Sequence, residues 1–211
     1  MSAPGRFVTF EGIEGVGKST QLELARAACA ARGLVALATR EPGGTPLAER
    51  IRELVLGESS EPVPPAAELL LMFAARAVHT ASLIRPALAS GTWVLSDRYS
   101  DATYAYQGGG RGIADRDIAP LAALAQQGLA PDLTLLFDAP VAVALARARR
   151  RAGSDRIEAE AAGFFERVRA RYLERARQEP ARCRILDATR PVAEIAAAVA
   201  GHLRELEERP R

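Results

Sequence analysis

The chain has 211 residues, which fits one domain of ordinary to large size, and 48% of them are apolar, enough for a sizeable core. Its 28 basic and 26 acidic residues leave a net charge of +2, so the chain as a whole is not a polyanion binder and no nucleic-acid partner is expected. Cys29 and Cys183 stand far apart without metal-ligand spacing, which excludes a disulfide framework and predicts two buried thiols.

Short β-rich runs alternate with longer helical patterns along the chain. Residues 1–5 are polar and carry no apolar signal segment, which points to a soluble, cytoplasmic protein. Phe7-Val8-Thr9-Phe10 reads as a first strand, and a helix begins near Lys18, with its amphipathic pattern over residues 21–32. Residues 34–39 read as a second strand, although Ala and Leu are weak β-formers. Residues 57–65 form a polar loop whose prolines suit a helix start near Ala66. The apolar run over residues 66–75 is too short to span a bilayer and is ended by Arg76, so no membrane association is expected. Thr92-Trp93-Val94-Leu95 reads as a third strand, residues 133–137 as a fourth and residues 184–186 as a fifth. Strands separated by long helices imply βαβ units with right-handed crossovers. The expected fold is therefore α/β: a five-stranded parallel sheet flanked by helices, in one domain over residues 1–211. His79 and His202 sit alone on helical patterns and read as structural or surface residues.

The densest chemistry lies in Glu11-Gly12-Ile13-Glu14-Gly15-Val16-Gly17-Lys18-Ser19-Thr20, which matches G-x-x-x-x-G-K-[ST] at Gly12, Gly17, Lys18 and Ser19. A strand precedes it and a helix follows. Such a loop aims successive backbone N–H groups at one anion, and the helix N-terminus adds partial positive charge. Residues 12–20 are thus the expected ATP-binding loop. Lys18 should reach the β- and γ-phosphates, and the Ser19 hydroxyl should ligate Mg²⁺. The motif gives nucleotide binding but not the reaction. A GTPase base-reading element of the Asn-Lys-x-Asp type is absent, since the chain has no asparagine.

Charged residues cluster where strands end. Arg40 follows the second strand, at the edge where open α/β sheets bind ligands, and the turn Glu41-Pro42-Gly43-Gly44 holds it out of the next helix. Asp97 and Arg98 close the third strand, where a carboxylate can orient a metal shell and a guanidinium offers a planar fork to phosphate. Asp138 follows the fourth strand in a similar way. Pro140 follows it and the segment lacks a partner Arg, so a helix N-cap is the plainer reading. The Arg-rich run from Arg147 to Arg156, beside Gly153, suits a lid over phosphates at about residues 147–160, although Arg147 and Arg150 read equally well as solvating a helix face.

Five segments in order carry a resemblance: the P-loop; Thr39-Arg40-Glu41-Pro42-Gly43-Gly44-Thr45; Asp97-Arg98-Tyr99; Tyr106-Gln107-Gly108-Gly109-Gly110-Arg111-Gly112; and Asp155-Arg156-Ile157-Glu158. From residue 7 to about residue 189 the chain resembles bacterial thymidylate kinases. The resemblance implies a P-loop NTPase fold with an Arg-rich lid, ATP and dTMP as substrates, Mg²⁺, and a homodimer, for which residues 65–89 offer the candidate face. It also implies roles. Arg40, with Pro42 in its turn, and Arg98 would meet the acceptor phosphate, and Asp97 would support the metal. Glu14 would contact the sugar 3′-hydroxyl, and Arg151 would be the lid arginine. Catalytic weight would fall on Lys18, Glu14, Arg98 and Arg151. Some members place an Arg directly after the acid; here Gly15 stands there, so that charge must come from elsewhere, and the Arg-rich run from Arg147 to Arg156 supplies the candidates. Arg76 fits the base-reading arginine. The stacking Phe expected four residues before it is replaced by Met72, with Phe73 three residues before, and either could cover the base. Thr103 and Tyr106 match residues that contact the base edge and crowd the 2′ position. The alternatives are a P-loop kinase for another nucleoside monophosphate and, less favoured, a nucleotide-binding switch or ATPase module.

Overall fold

A strand covered on both faces has to be apolar throughout rather than alternating. β1 (Phe7–Glu11) is apolar at Phe7, Val8 and Phe10, buries Thr9 and Glu11 with hydrogen-bond partners, and lies in the middle of the sheet. The computed structural model describes residues 5–57, 60–150, 156–158 and 160–210. β1 pairs with β3 (Trp93–Asp97) on one side and β4 (Leu133–Asp138) on the other. β2 (Ala36–Arg40) and β5 (Cys183–Asp187) form the edges, giving the order β2-β3-β1-β4-β5, with every pairing parallel. The five-stranded parallel sheet read from sequence is thus present. β2 begins two residues later than expected because the Leu34 N–H still bonds the Cys29 carbonyl of α1 (Lys18–Ala31), at 3.0 Å.

The register brings the chemistry to one edge. Phe10 lies opposite Asp97 and Arg40 also lies opposite Asp97, so the carboxyl ends of β1, β2 and β3 converge. On the faces of the sheet, α1 packs with α9 (Val192–Glu208), and Phe10 stacks on Phe137 at 5.8 Å between ring centroids. Both cysteines are free and buried.

Two sequence expectations need correction. First, Arg76 does not end the apolar run. α3 (Pro65–His79) continues through a π-helical turn (Thr80–Ile84) into α4 (Arg85–Ala89), giving 25 helical residues that contain an 18-residue stretch with a mean hydropathy of 1.4, long and apolar enough to cross a membrane. Arg76 is tolerated because it is buried and ion-paired inside the fold, and Leu69 and Phe73 pack on Ile118 and Ala122 of α6 (Asp115–Gln126). Second, Asp138 caps no helix. Pro140 stands at the start of α7 (Val141–Ala148), and Asp138 takes two hydrogen bonds from Arg169, at 2.7 and 2.9 Å. The partner comes from α8 (Ala162–Gln178), too distant in sequence for local inspection to find.

After β3 the chain forms α5 (Ser100–Thr103) and a seven-residue π-helical turn (Tyr104–Gly110). α8 lies so close to that turn that a Cβ on Gly110 would fall 2.5 Å from the Phe164 ring. Gly110→Ala should therefore destabilise the protein by about 1–3 kcal/mol through overpacking, read as a lower urea midpoint at unchanged m-value.

Candidate functional site

The converging strand ends open onto a cavity of about 420 Å³. Glu14, Gly15, Gly17, Lys18, Ser19 and Thr20 line it from the P-loop. Ile13 and Val16, each 2% exposed, turn their side chains into the core and leave only backbone groups for a ligand. Lys18 folds back on the loop, its Nζ donating to the carbonyls of Gly12 (3.0 Å) and Ile13 (2.9 Å). Burial, helped by the charge of Arg98, pushes its pKa down to about 8. The Ser19 hydroxyl donates to the Asp97 carboxylate at 3.2 Å, and both residues line the cavity.

Arg98 holds a left-handed backbone, φ 74°, which costs a non-glycine residue about 1–2 kcal/mol. Its N–H bonds the Phe10 carbonyl at 3.0 Å, and its own carbonyl accepts from Ser96 Oγ at 2.7 Å, which holds the bend. The bend delivers the guanidinium to the P-loop. Nη1 donates to the Gly12 carbonyl (2.8 Å) and to the Tyr172 hydroxyl (3.2 Å), and Nη2 donates to Glu14 (2.7 Å). Tyr106 completes the cluster: its ring lies 4.8 Å from the guanidinium and its hydroxyl donates to Glu14, 2.7 and 2.8 Å from the two carboxylate oxygens. A guanidinium beside Glu14 thus comes from Arg98, directly after β3. A side chain at position 15 has no room, since a Cβ there would fall 1.9 Å from the Ala144 carbonyl oxygen with φ at +79°.

Beneath this cluster Glu11, fully buried, accepts from the Tyr99 N–H at 2.7 Å and the Tyr172 hydroxyl at 2.8 Å. Burial first, and then Asp101, raise its pKa from the ordinary 4.5 to about 7. A raised carboxyl pKa means that the folded state holds the proton more tightly, so Glu11 subtracts stability as pH climbs from about 4.5 through 7.

At the other end of the cavity the structure separates two neighbours. Met72 lines the wall, whereas Phe73 packs in the cluster of Leu69 and Ile118. Adjacent helix residues point about 100° apart, so one helix face cannot carry both. Arg76 and Thr103 lie buried behind the wall. Arg76 donates Nε to Glu41 (2.7 Å) and Nη2 to the Tyr99 carbonyl (3.0 Å), between the rings of Phe73 and Tyr99. Among the described residues its Nη1 and the Thr103 hydroxyl have no hydrogen-bond partner. Each unmet buried polar atom costs about 1–3 kcal/mol, which a ligand able to pair with it would recover. Glu41 is also held by His79, whose Nδ1 lies 2.9 Å from it and whose Nε2 lies 2.8 Å from Thr39 Oγ1. This structural histidine thus orients the Glu41–Arg76 pair.

Arg40 and Pro42 line the cavity as expected, with Arg40 also paired to Glu49 at 3.0 Å. Arg52 of α2 (Pro46–Leu56) lines it too, donating to the Pro42 carbonyl at 2.8 Å. Sequence reasoning passed over Arg52 because it belongs to no motif and resembles any solvated helix residue. Arg147 also lines the cavity and donates to the Ala188 carbonyl at 2.7 Å. Arg151, the expected lid arginine, lies outside the described residues, as do Gly153 and Asp155. Ile157 and Glu158 line the wall. Among the described residues no group of three or more His, Cys, Asp or Glu side chains is placed to hold a metal. The hydroxyl and single carboxylate of Ser19 and Asp97 nevertheless suit Mg²⁺, which keeps several waters and binds through one or two carboxylates plus substrate phosphates.

A parallel sheet that delivers a phosphate cradle, a buried lysine and several arginines to one cavity has the build of a P-loop nucleotide kinase. Comparison with known proteins narrows that class. The family model for thymidylate kinase matches residues 10–199. A thymidylate kinase from Chromohalobacter salexigens is 56% identical over 204 residues, covering 96% of both chains, and one from Pseudomonas syringae pv. syringae is 54% identical over 207 residues, covering 98% of this chain and 99% of its own. The crystal structure of the thymidylate kinase from Ehrlichia chaffeensis superposes with a TM-score of 0.76 at 32% identity, over 95% of this chain and 99% of that one. The chain belongs to the thymidylate kinase family.

Phosphate arriving beside Lys18 should restore its charge. At pH 8.5 ATP binding should therefore take up on the order of half a proton per site. Calorimetry in two buffers of different ionisation enthalpy measures this. A Lys18→Met variant that still binds ATP should show none of the uptake, and equal uptake in both proteins would assign the proton to another group.

Proposed function

We propose that this chain transfers the γ-phosphoryl group of ATP to dTMP, giving dTDP. The observation that carries the reading is the meeting, in one cavity, of a P-loop lysine with the Arg98–Glu14–Tyr106 cluster. One half of the cavity suits a triphosphate and the other a small phosphorylated acceptor. Lys18 and the backbone N–H groups of residues 12–20 hold the donor phosphates. Arg98 and Arg40 hold the acceptor phosphate. The hydrogen bonds from Arg98 to Gly12, Tyr172 and Glu14 occupy three of its five donors, which leaves capacity for an oxyanion. Ser19 and Asp97 would hold Mg²⁺, which neutralises charge on the phosphates when bound. Catalysis is then positioning and charge stabilisation, without a covalent intermediate.

Glu14 orients the acceptor through its sugar 3′-hydroxyl, and Tyr106, fixed on Glu14, crowds the 2′ position. Met72 covers the base in place of a stacking aromatic residue, using the soft packing of a thioether. The Arg76 Nη1 and the Thr103 hydroxyl, buried behind the Met72 wall, would supply hydrogen bonds to its edge once that wall shifts on acceptor entry. Residues 1–211 act as one kinase domain with residues 147–160 as a lid and Arg151 as its arginine. Two copies associate through residues 65–89, where Leu70 is 55% exposed. The enzyme works in the cytoplasm without a membrane or nucleic-acid partner; Glu68, Arg76 and His79 make the long apolar helix a core element.

A panel of nucleoside monophosphates, assayed for ADP release, tests the reading. dTMP should be the best acceptor, with dUMP used less well, since one methyl in an apolar pocket is worth about 1–3 kcal/mol. UMP should be worse than dUMP. A panel led by UMP, CMP or AMP would leave only the broader nucleotide-kinase assignment, and ATP hydrolysis indifferent to every monophosphate would favour a switch or ATPase module. Arg98→Ala should weaken use of the monophosphate by more than about tenfold, the loss of a charge-assisted contact worth roughly 2 kcal/mol, while ATP affinity changes little. Met72→Ala should weaken dTMP binding more than Phe73→Ala does, once both proteins are shown to be folded; the reverse order would make Phe73 the residue that covers the base.

A further inference from the structure

Two signature segments have no part in the chemistry above: Gln107 and Arg111 in the glycine-rich stretch, and Arg156 in Asp155-Arg156-Ile157-Glu158. Both converge on Glu68, a fully buried carboxylate in the first turn of α3. Glu68 accepts from Gln107 Nε2 at 2.8 Å, from Arg111 Nε at 3.3 Å and Nη2 at 3.1 Å, and from Arg156 Nη2 at 2.6 Å. Burial alone would raise its pKa, but the bonds from Gln107, Arg111 and Arg156 outweigh that and hold it below the usual carboxylate value.

Each partner is tied elsewhere as well. Arg156 donates its Nε to the Val55 carbonyl (3.0 Å) and its N–H to the Leu56 carbonyl (3.2 Å). Arg111 pairs with Glu160 at 2.5 Å and lies 4.8 Å over the Phe164 ring of α8. Glu68 itself does not line the cavity, but its immediate neighbours do. Met72 stands one helical turn along the same face of α3, Tyr106 precedes Gln107, Ile157 and Glu158 follow Arg156, and Leu56 receives the Arg156 N–H.

We propose that Glu68 is a positioning residue: with Arg111 and Arg156 it locks together the segments that wall the acceptor end of the cavity, so that acceptor use depends on an ion-pair cluster that touches no substrate. The proposal rests on the reading of this end as the acceptor site, but not on the identity of the acceptor. Misplacing a binding wall by about 1 Å costs catalysis roughly a hundredfold, so loosening the cluster should act on the acceptor selectively.

The test uses the full-length enzyme and whichever monophosphate the wild type prefers. A change of preferred acceptor would then sink the dTMP reading without touching this one. Arg156→Gln is the first variant, because Arg156 is 23% exposed and its loss leaves less charge stranded; Glu68→Gln keeps shape but removes the charge. Both should raise the acceptor KM roughly tenfold or more and lower kcat, with the ATP KM within about twofold of wild type. The double variant should be little worse than either single one, as expected for residues acting as a unit, and Arg156→Lys should recover part of the loss. Should Glu68→Gln not fold, Arg156→Gln and Arg156→Lys decide the matter. Variants with a lower Tm and unchanged acceptor KM, or with equal losses toward ATP and acceptor, would reduce the cluster to a structural ion pair and overturn the proposal.

Discussion

A carboxylate cannot be left alone in a low-dielectric interior, and the architecture around this cavity follows from that constraint. Glu41, Glu68 and Asp101, with side-chain exposures of 3%, 1% and 3%, are buried against arginines, and Glu14, at 12%, is largely so. Arg98 meets Glu14, Arg76 meets Glu41, Arg111 and Arg156 meet Glu68, and Arg175 and Arg182 meet Asp101. Each pair joins elements far apart in sequence: the P-loop to β3, the β2 loop to α3, α3 to the π-helical turn, α5 to α8. Such pairs add little net stability over well-packed apolar residues, but removing one partner costs about 3–5 kcal/mol. They make one arrangement of the cavity wall much better than its neighbours.

Glu11 lies outside this scheme. It sits at the end of the central strand under the Arg98 cluster, and its oxygens are met by a backbone N–H and a phenol rather than by a direct guanidinium contact. Burial, and then the charge of Asp101, raise its pKa despite those two bonds. Arg98 instead spends its donors on the P-loop carbonyl of Gly12, on Tyr172 and on Glu14, and accepts a left-handed backbone to reach them. Local strain of this kind persists where surrounding contacts over-determine the conformation, here the bonds to Phe10 and Ser96. Lys18 is likewise held on the Gly12 and Ile13 carbonyls, partly relieved of its charge by burial. The cavity therefore holds its cations in pre-set positions, the condition under which electrostatic stabilisation of a reacting phosphoryl group needs least rearrangement.

The sheet and the cradle were legible in the sequence because their signals are local. Continuous apolar runs mark strands buried on both faces, and the spacing of Gly12, Gly17, Lys18 and Ser19 states the loop geometry directly. The edge strand β2 was legible but displaced, because the α1 C-terminus captures Leu34. The length argument from residues 66–75 failed because Arg76, a good helix former, carries the helix on to Ala89, with its charge paired to Glu41 inside the fold. Reading Asp138 as a cap failed because Arg169 lies on a helix that follows two further connections.

By itself, then, the sequence determined the fold class, the phosphate-binding loop and the order of the signature segments, since each depends on residues within a few positions of one another. Only the tertiary structure decided that Arg98 pairs with Glu14, that Met72 rather than Phe73 faces the cavity, that Arg52 joins its wall, and that Gln107, Arg111 and Arg156 meet on Glu68. Each of these depends on the rotation of a helix or on an ion pair between elements distant in sequence. Such quantities are set by packing and by the cost of burying charge, and no local pattern of residues encodes them.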